Sequence, residues 1–329
     1  MTPASADLRR IAKRYRAFAI DEAHGASEVY ESLALGIAAS PEILDFIASL
    51  PADRRQPNLF LAAVRHVCGV PENTTHLRSL LQEEHERIRA VMLSRTTQTN
   101  EPARCSVLLP VFAQLPQPLA LLEVGASAGL CLLPDSYGYD YGVTRIEPTV
   151  ANAPIFHCAA SGAFPIPSAG PQIVWRLGLD LNPIDLLSDD QVEWLETLVW
   201  PGQENRAEKL RAAIDVARSD PPRIIKGNLL TDLEPLIAMA PNDATLVVFH
   251  TAVLPYVGSQ QQRDRFAAMM TRANAVWISN EGPGIFSFAT TIVPPPPKGG
   301  HFLMMVDGKP VAWTHPHGQS IDWFGTSFC

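Results

Sequence analysis

Charge is scarce in this sequence. Only 18% of its 329 residues are Asp, Glu, Lys or Arg, below the ~25% usual for soluble domains. That composition excludes a long disordered chain. Basic residues are the rarer sign, 26 against 34 acidic, for a net charge of −8. A broad basic face for nucleic acid is therefore not expected. Cysteine is sparse as well. Cys68, Cys105, Cys131, Cys158 and Cys329 are odd in number and form no C-x-x-C pair. This pattern points to reduced thiols in a cytoplasmic protein and gives no support to a cysteine zinc site. Long apolar runs are missing too. No stretch approaches the ~18 residues of a membrane span. The opening MTPASADLRRIAKRYRAF turns charged at once and lacks the apolar core of a signal peptide. No membrane association is expected.

What is present is apolar: 47% of the chain, with 29 prolines. A sizeable core can form, in one large domain or two smaller ones. Residues 1–117 read as helical. Leu8, Ile11, Tyr15, Phe18 and Ala19 fall at helical spacing. Asn58 reads as an N-cap for Leu59 to Cys68, with Gly69 closing that helix. Thr75 to Leu93 carries another apolar face, and Val107 to Leu115 a last one. Before that last helix lie Gln98, Thr99, Asn100, Glu101 and Arg104. Thr99 or Asn100 reads equally well as its cap. The first part is expected to be a helical cap domain over a site in the second, or simply a bundle packed for stability.

Residues 118–329 alternate strands and helices, with an insertion at about 134–170. Leu119 to Val124, Ile173 to Asp180, Arg223 to Leu230, Ala244 to His250 and Ala275 to Asn280 are apolar runs of strand length. Asp307-Gly308 signals a terminal hairpin. Within the insertion, Tyr137, Tyr139 and Tyr141 alternate with small and polar residues, as in an exposed hairpin arm. The expected fold class is α/β, a mostly parallel sheet with a C-terminal antiparallel hairpin and an N-terminal helical cap. Parallel sheets bind ligands at the carboxyl ends of their strands. Glu123, Asp180, Asn228, His250 and Asn280-Glu281 each end an apolar run there.

LALLEVGASAGL, Leu119 to Leu130, is the stretch these elements surround. Two chemistries fit it, and a plain structural turn is a third reading. One is a nucleotide-type loop, E-x-G-x-x-x-G, in which Gly125, Ser127 and Gly129 let backbone approach a ligand. Asp180 would then accept ribose hydroxyls and Asn228 reach an adenine amino group. Glu147 has nearly the expected spacing for the ribose carboxylate, but a better strand leads into Asp180. The other chemistry is a nucleophile elbow, G-x-S-x-G, with Ser127 as nucleophile. Asp264 with His301, His315 or His317 would complete it. Everything upstream looks helical, however, and holds no oxyanion loop. His315-Pro316-His317 lacks the carboxylate pair a metal site would add.

The nucleotide layout resembles class I S-adenosylmethionine-dependent methyltransferases, a Rossmann-like fold. The resemblance implies that Glu123 neighbours the methionine part of the cofactor while Gly125 to Gly129 pass beneath it. Substrate chemistry would fall around His250 as general base, Thr251 and Tyr256, with Glu281, Gln98, Asn100 and Arg104 on the substrate side. Beyond the fold, QTNE-x-x-RC, LLEVGASAGL, WRLGLDLNP-x-D, VWPGQ, VVFHTAVLPY and SNEGPG occur in order across nearly the whole chain. These phrases resemble a bacterial family known as domain of unknown function 2332, which supplies no activity. The expectation is an S-adenosylmethionine-dependent methyltransferase acting on a small molecule. Two alternatives stand beside it: an α/β-hydrolase using Ser127, and a non-catalytic binding protein that kept the fold. The residues say nothing of oligomeric state.

Overall fold

The computed structural model describes residues 3–98, 100–287 and 293–325. Thr99 and Cys329 lie outside them. The helices are α1 (Pro3–Ala17), α2 (Glu28–Ala39), α3 (Pro41–Ala48), α4 (Pro57–Cys68), α5 (Thr74–Ser94), α6 (Cys105–Phe112), α7 (Asp189–Thr197), α8 (Glu204–Ser219), α9 (Leu233–Ile237) and α10 (Gln260–Met270). The strands are β1 (Leu119–Val124), β2 (Gly138–Asp140), β3 (Arg145–Ile146), β4 (Ile155–His157), β5 (Ala159–Gly162) and β6 (Ile173–Asp180). They continue with β7 (Ile224–Lys226), β8 (Thr245–Thr251), β9 (Val276–Glu281), β10 (Phe302–Val306), β11 (Lys309–Thr314) and β12 (Ser320–Trp323).

The chain divides into two compact units, Met1–Thr99 with Asp189–Glu208, and Asn100–Ser188 with Lys209–Cys329. The division therefore falls at Asn100, earlier than residue 117. The first unit is helical. Ile11, Tyr15, Phe18, Ile37, Ile43, Phe60, Leu77 and Ile88 share its core, as the helical spacing of apolar residues requires. Ser27 and Asn73 cap α2 and α5 through their side chains. Asn58 caps nothing. Pro57 takes the first position of α4, where its missing N–H has no partner to lose. The later segment joins this unit by its tryptophans. Trp194 Nε1 donates to the Thr96 carbonyl at 3.0 Å, and Trp200 meets Phe18 edge-on with centroids 5.3 Å apart.

The second unit is built on one sheet of nine strands, ordered β5-β12-β11-β10-β9-β8-β1-β6-β7. β7, β6, β1, β8 and β9 run parallel. β10, β11 and β12 then continue antiparallel. The expected mixed α/β sheet and terminal antiparallel strands are therefore present. All six residues of β1 are buried, as befits a parallel strand covered on both faces. Side chains alternate between those faces. Ala120, Leu122 and Val124 pack with Val248, Trp277, Leu303 and α10 residues Phe266 and Met270. On the other face α6 supplies Phe112, which meets Phe249 edge-on at 5.7 Å.

No α-helix follows the glycine loop after β1. Leu130–Leu132 forms a single 3-10 turn, and Pro134 cannot extend it because it has no N–H to give. The tyrosine arm is buried, not exposed: Tyr137, Tyr139 and Tyr141 are at most 4% accessible. Their hydroxyls donate to the carbonyls of Leu130, Pro134 and Ser106, which satisfies the polar tip of each buried ring. β2 lies between β3 and β4 in a separate small sheet. Finally, Asn100 does not cap α6, whose N-cap position is Arg104. Among the described residues no helix is long and apolar enough to cross a membrane.

Candidate functional site at the carboxyl end of the parallel strands

β1 lies where the chain reverses direction across the sheet, with β6 and β7 on one side and β8 and β9 on the other. Crevices at such reversal points are where open α/β sheets bind ligands. The loop leaving β1 is sharply bent. Gly125, Ser127 and Gly129 have φ of 74°, 51° and 72°. Ser127 holds a left-handed conformation that costs a β-carbon residue energy. Side chains fix it. Asp180 Oδ2 accepts from the Ser127 N–H at 2.8 Å. Asn100 Nδ2 donates to Ser127 Oγ at 2.6 Å, and Asn100 Oδ1 accepts from Ala128 N–H at 2.8 Å. A Cβ on Gly125 would lie 2.3 Å from Val253 Cγ2, so packing against the turn after β8 also demands glycine there. Asp180 is thus a brace for the loop. Its other oxygen accepts from Asn182 N–H at 2.7 Å.

Glu123 stands just before this loop. It is 4% exposed, and its carboxyl accepts no hydrogen bond from any described residue, with Oε2 fully buried. Burial drives its pKa well above the ordinary 4.5, with the charges of Cys131 and Asp180 adding to the rise and that of Arg104 opposing it. β1 pairs with β8 so that Glu123 faces Phe249. By alternation Thr251 lies on the same face, and Thr251 pairs with Asn280 of β9. Arg104 comes down onto that face. Its Nη1 donates to the Thr251 carbonyl and hydroxyl, both at 3.1 Å, and its Nε to the Pro316 carbonyl at 2.8 Å. The guanidinium also sits 5.9 Å from the Phe302 ring centroid. Thr251 and Asn280 were among the strand-end polar residues expected at the site, whereas Thr314, which joins them on this face, was not singled out from the sequence. The available signal was parity: each is a polar residue on the Glu123 face of an otherwise apolar strand.

The opposite face holds a second polar group. His250 is fully buried. Trp277 Nε1 donates to its Nε2 at 3.0 Å, so the proton resides on Nδ1. Nδ1 donates to Glu281 Oε1 at 2.7 Å. The same oxygen accepts from the N–H groups of Val253 and Leu254 at 2.9 and 3.3 Å. Both ring nitrogens are committed, which leaves His250 no site for a substrate proton. The pair positions the turn after β8, where Ala252 has φ of 56°. Tyr256, at the end of that turn, is 71% exposed and joins neither group.

The remaining candidates scatter. Asn228 is exposed, and its Oδ1 closes a local turn onto Leu230 N–H at 2.9 Å. Gln98 belongs to the first unit and is half-buried. Glu147 lies exposed just after β3 of the small sheet and pairs with Arg145 at 2.6 Å. Ser127 Oγ bonds to Asn100 and to no imidazole among the described residues. Asp264 accepts instead from Gln260 and Ser287. His301, His315 and His317 do cluster, with successive ring centroids 6.0 and 5.8 Å apart. His317 Nδ1 approaches Glu101 Oε2 at 3.2 Å. Among the described residues no three or more His, Cys, Asp or Glu side chains are grouped so as to hold a metal ion. A pocket of about 130 Å³ lined by Glu234, Arg265, Phe266 and Arg272 opens beside α10. Phe266 belongs to the core on the sheet face opposite Glu123, so this pocket does not coincide with the polar cluster.

Comparison with known proteins gives one match. No curated protein and no solved structure matches the chain. A family profile matches residues 12–72 and 66–323, which includes the glycine loop, Glu123, Arg104 and the ends of β8 and β9. The chain belongs to the bacterial family described as "Uncharacterized protein conserved in bacteria (DUF2332)".

Proposed function

We propose that this protein binds S-adenosylmethionine beside Glu123 and transfers its methyl group to a small molecule. One observation carries the reading: the buried Glu123 carboxyl, without a hydrogen-bond partner, at the reversal point of the sheet. A buried carboxyl left unpaired costs stability. A ligand ammonium beside it would satisfy the carboxylate and favour its ionised form. The order β7-β6-β1-β8-β9 supports this, because it corresponds to the 3-2-1-4-5 order of doubly wound nucleotide-binding sheets.

The residues fit the cofactor in part. Glu123 suits its amino group, and the backbone of Ala126 to Gly129 supplies small residues at the strand end. Gly125 owes its lack of a side chain to Val253, and Asp180 would have to serve a ribose with its remaining lone pairs while bracing Ser127. The cofactor would supply an electrophilic methyl group on a sulfonium. This chain's residues would bind and orient it: Asn100 and Asp180 hold the loop rigid, and the His250–Glu281 pair holds the adjoining turn. No acid or base is assigned. No observation favours the serine hydrolase reading over this one, since Ser127 lacks an imidazole partner. Titration calorimetry with S-adenosylmethionine and S-adenosylhomocysteine tests the proposal. Micromolar binding with methyl transfer to a small acceptor supports it. Binding without any turnover favours a non-catalytic binding protein, and no binding by folded protein removes the cofactor.

A further inference from the structure

The face of the sheet that carries Glu123 also holds side-chain donors without an acceptor. Arg104 is 5% exposed. Its Nε and Nη1 are used on the Pro316 carbonyl and on Thr251. Its Nη2 donates to none of the described residues, and none of their carboxylates pairs with it. A guanidinium taken out of water without a counter-charge is costly, so natural proteins rarely leave one so. Asn280 is fully buried. The Thr314 hydroxyl donates to its Oδ1 at 2.6 Å, and its Nδ2 has no partner. Register places Asn280 beside Thr251, on which the Arg104 head rests. Two independent side chains therefore present unmet N–H groups on one face, at the carboxyl ends of adjacent strands. Glu123 shares that face and feels the Arg104 charge, yet the two form no ion pair. What Arg104 and Asn280 lack is an acceptor with negative charge paired to them.

We propose that Arg104 and Asn280 form a buried receptor for a carboxylate, held by the free edge of the guanidinium and by the Asn280 amide. The planar fork of arginine matches the two oxygens of a carboxylate. A phosphate, with three terminal oxygens, would call for more donors than these two side chains offer. The inference rests on reading this strand end as a small-molecule site. The carboxylate has two sources: the amino-acid end of the cofactor proposed above, or an acidic methyl acceptor.

The test uses the full chain, labelled with 15N. The Arg104 Nε–H signal, identified by its loss in Arg104→Lys, is followed by NMR while S-adenosylhomocysteine, 5′-methylthioadenosine and acetate are titrated in turn. 5′-Methylthioadenosine lacks the amino-acid end. If the carboxylate is the cofactor's, S-adenosylhomocysteine moves the signal and 5′-methylthioadenosine does not. Arg104→Lys then weakens the first by about 10- to 150-fold and leaves the second unchanged. If it is the acceptor's, acetate moves the signal while S-adenosylhomocysteine is bound. A shift with acetate in a protein that binds neither nucleoside would sink the cofactor reading and leave the carboxylate receptor standing. Asn280→Ala weakens the same ligand and covers a failure of Arg104→Lys to fold. The inference is overturned if no carboxylate moves the Arg104 signal, or if Asn280→Ala binds the carboxylate that moves it as tightly as native protein does.

Discussion

Replacing Glu123 by glutamine should stabilise this protein above mildly acidic pH. The carboxyl is buried, accepts no hydrogen bond, and has a pKa raised well above 4.5 chiefly by that burial. In the unfolded chain it ionises near the ordinary value. From there up to the folded pKa, the unfolded state has lost a proton that the folded state keeps. Stability therefore falls as pH rises through that window, by about 1.4 kcal/mol for each pH unit. Glutamine has the same shape and no proton to lose. The native and Glu123→Gln proteins should be nearly equal in stability near pH 4. From roughly pH 5 up to the raised folded pKa, the variant should gain about 1.4 kcal/mol relative to native per unit. Urea unfolding of both proteins at pH 4.5, 5.5, 6.5 and 7.5, followed by circular dichroism, reads this difference. A gap that does not change with pH, or a variant less stable than native at pH 7.5, would refute the reasoning. Glu123 would then be an ionised and well-paired carboxylate.

Other residues give further expectations. Glu281→Ala strands the His250 Nδ1–H and the Val253 and Leu254 N–H groups. It should cost about 3–5 kcal/mol in urea unfolding, with Glu281→Gln costing clearly less; equal costs would show that the acceptor oxygen is not what matters. Gly125→Ala meets both a φ of 74° and the Val253 side chain. A loss of about 1–3 kcal/mol is expected, and pairing it with Val253→Ala should recover part of that loss. A fluorophosphonate probe should leave Ser127 unlabelled, because its hydroxyl bonds to Asn100 rather than to a base; labelling lost in Ser127→Ala would reopen the hydrolase reading.

The parallel core was legible because its strands are long apolar runs that end in polar residues. β1, β6, β8 and β9 fall where those runs lie, and Asp307-Gly308 marks the turn between β10 and β11. Burial of the tyrosine arm was not legible. Period-two alternation reports which residues share a face, but not whether the face turned outward is also covered. Tyr137, Tyr139 and Tyr141 are amphipathic, and the carbonyls of Leu130, Pro134 and Ser106 take their hydroxyls inside the fold, which periodicity does not report. Asn100 misled for a related reason. A polar residue before a helix normally caps it, whereas here its amide reaches residues 127 and 128, a pairing that no local spacing reveals. His250 looked like a base because it ends a strand. That its other nitrogen meets Trp277 depends on the register of β8 against β9. The Arg104–Thr251 contact joins residues 147 apart, and only the fold brings them together.

Calorimetric titration with S-adenosylhomocysteine at pH 7.5, in two buffers of different ionisation enthalpy, tests the central claim most directly. If Glu123 receives the ligand's ammonium, it must give up its proton on binding. The account predicts net proton release on binding, with both the release and most of the affinity lost in Glu123→Gln. Binding with no proton release and no loss in Glu123→Gln would place the ligand elsewhere and contradict the account.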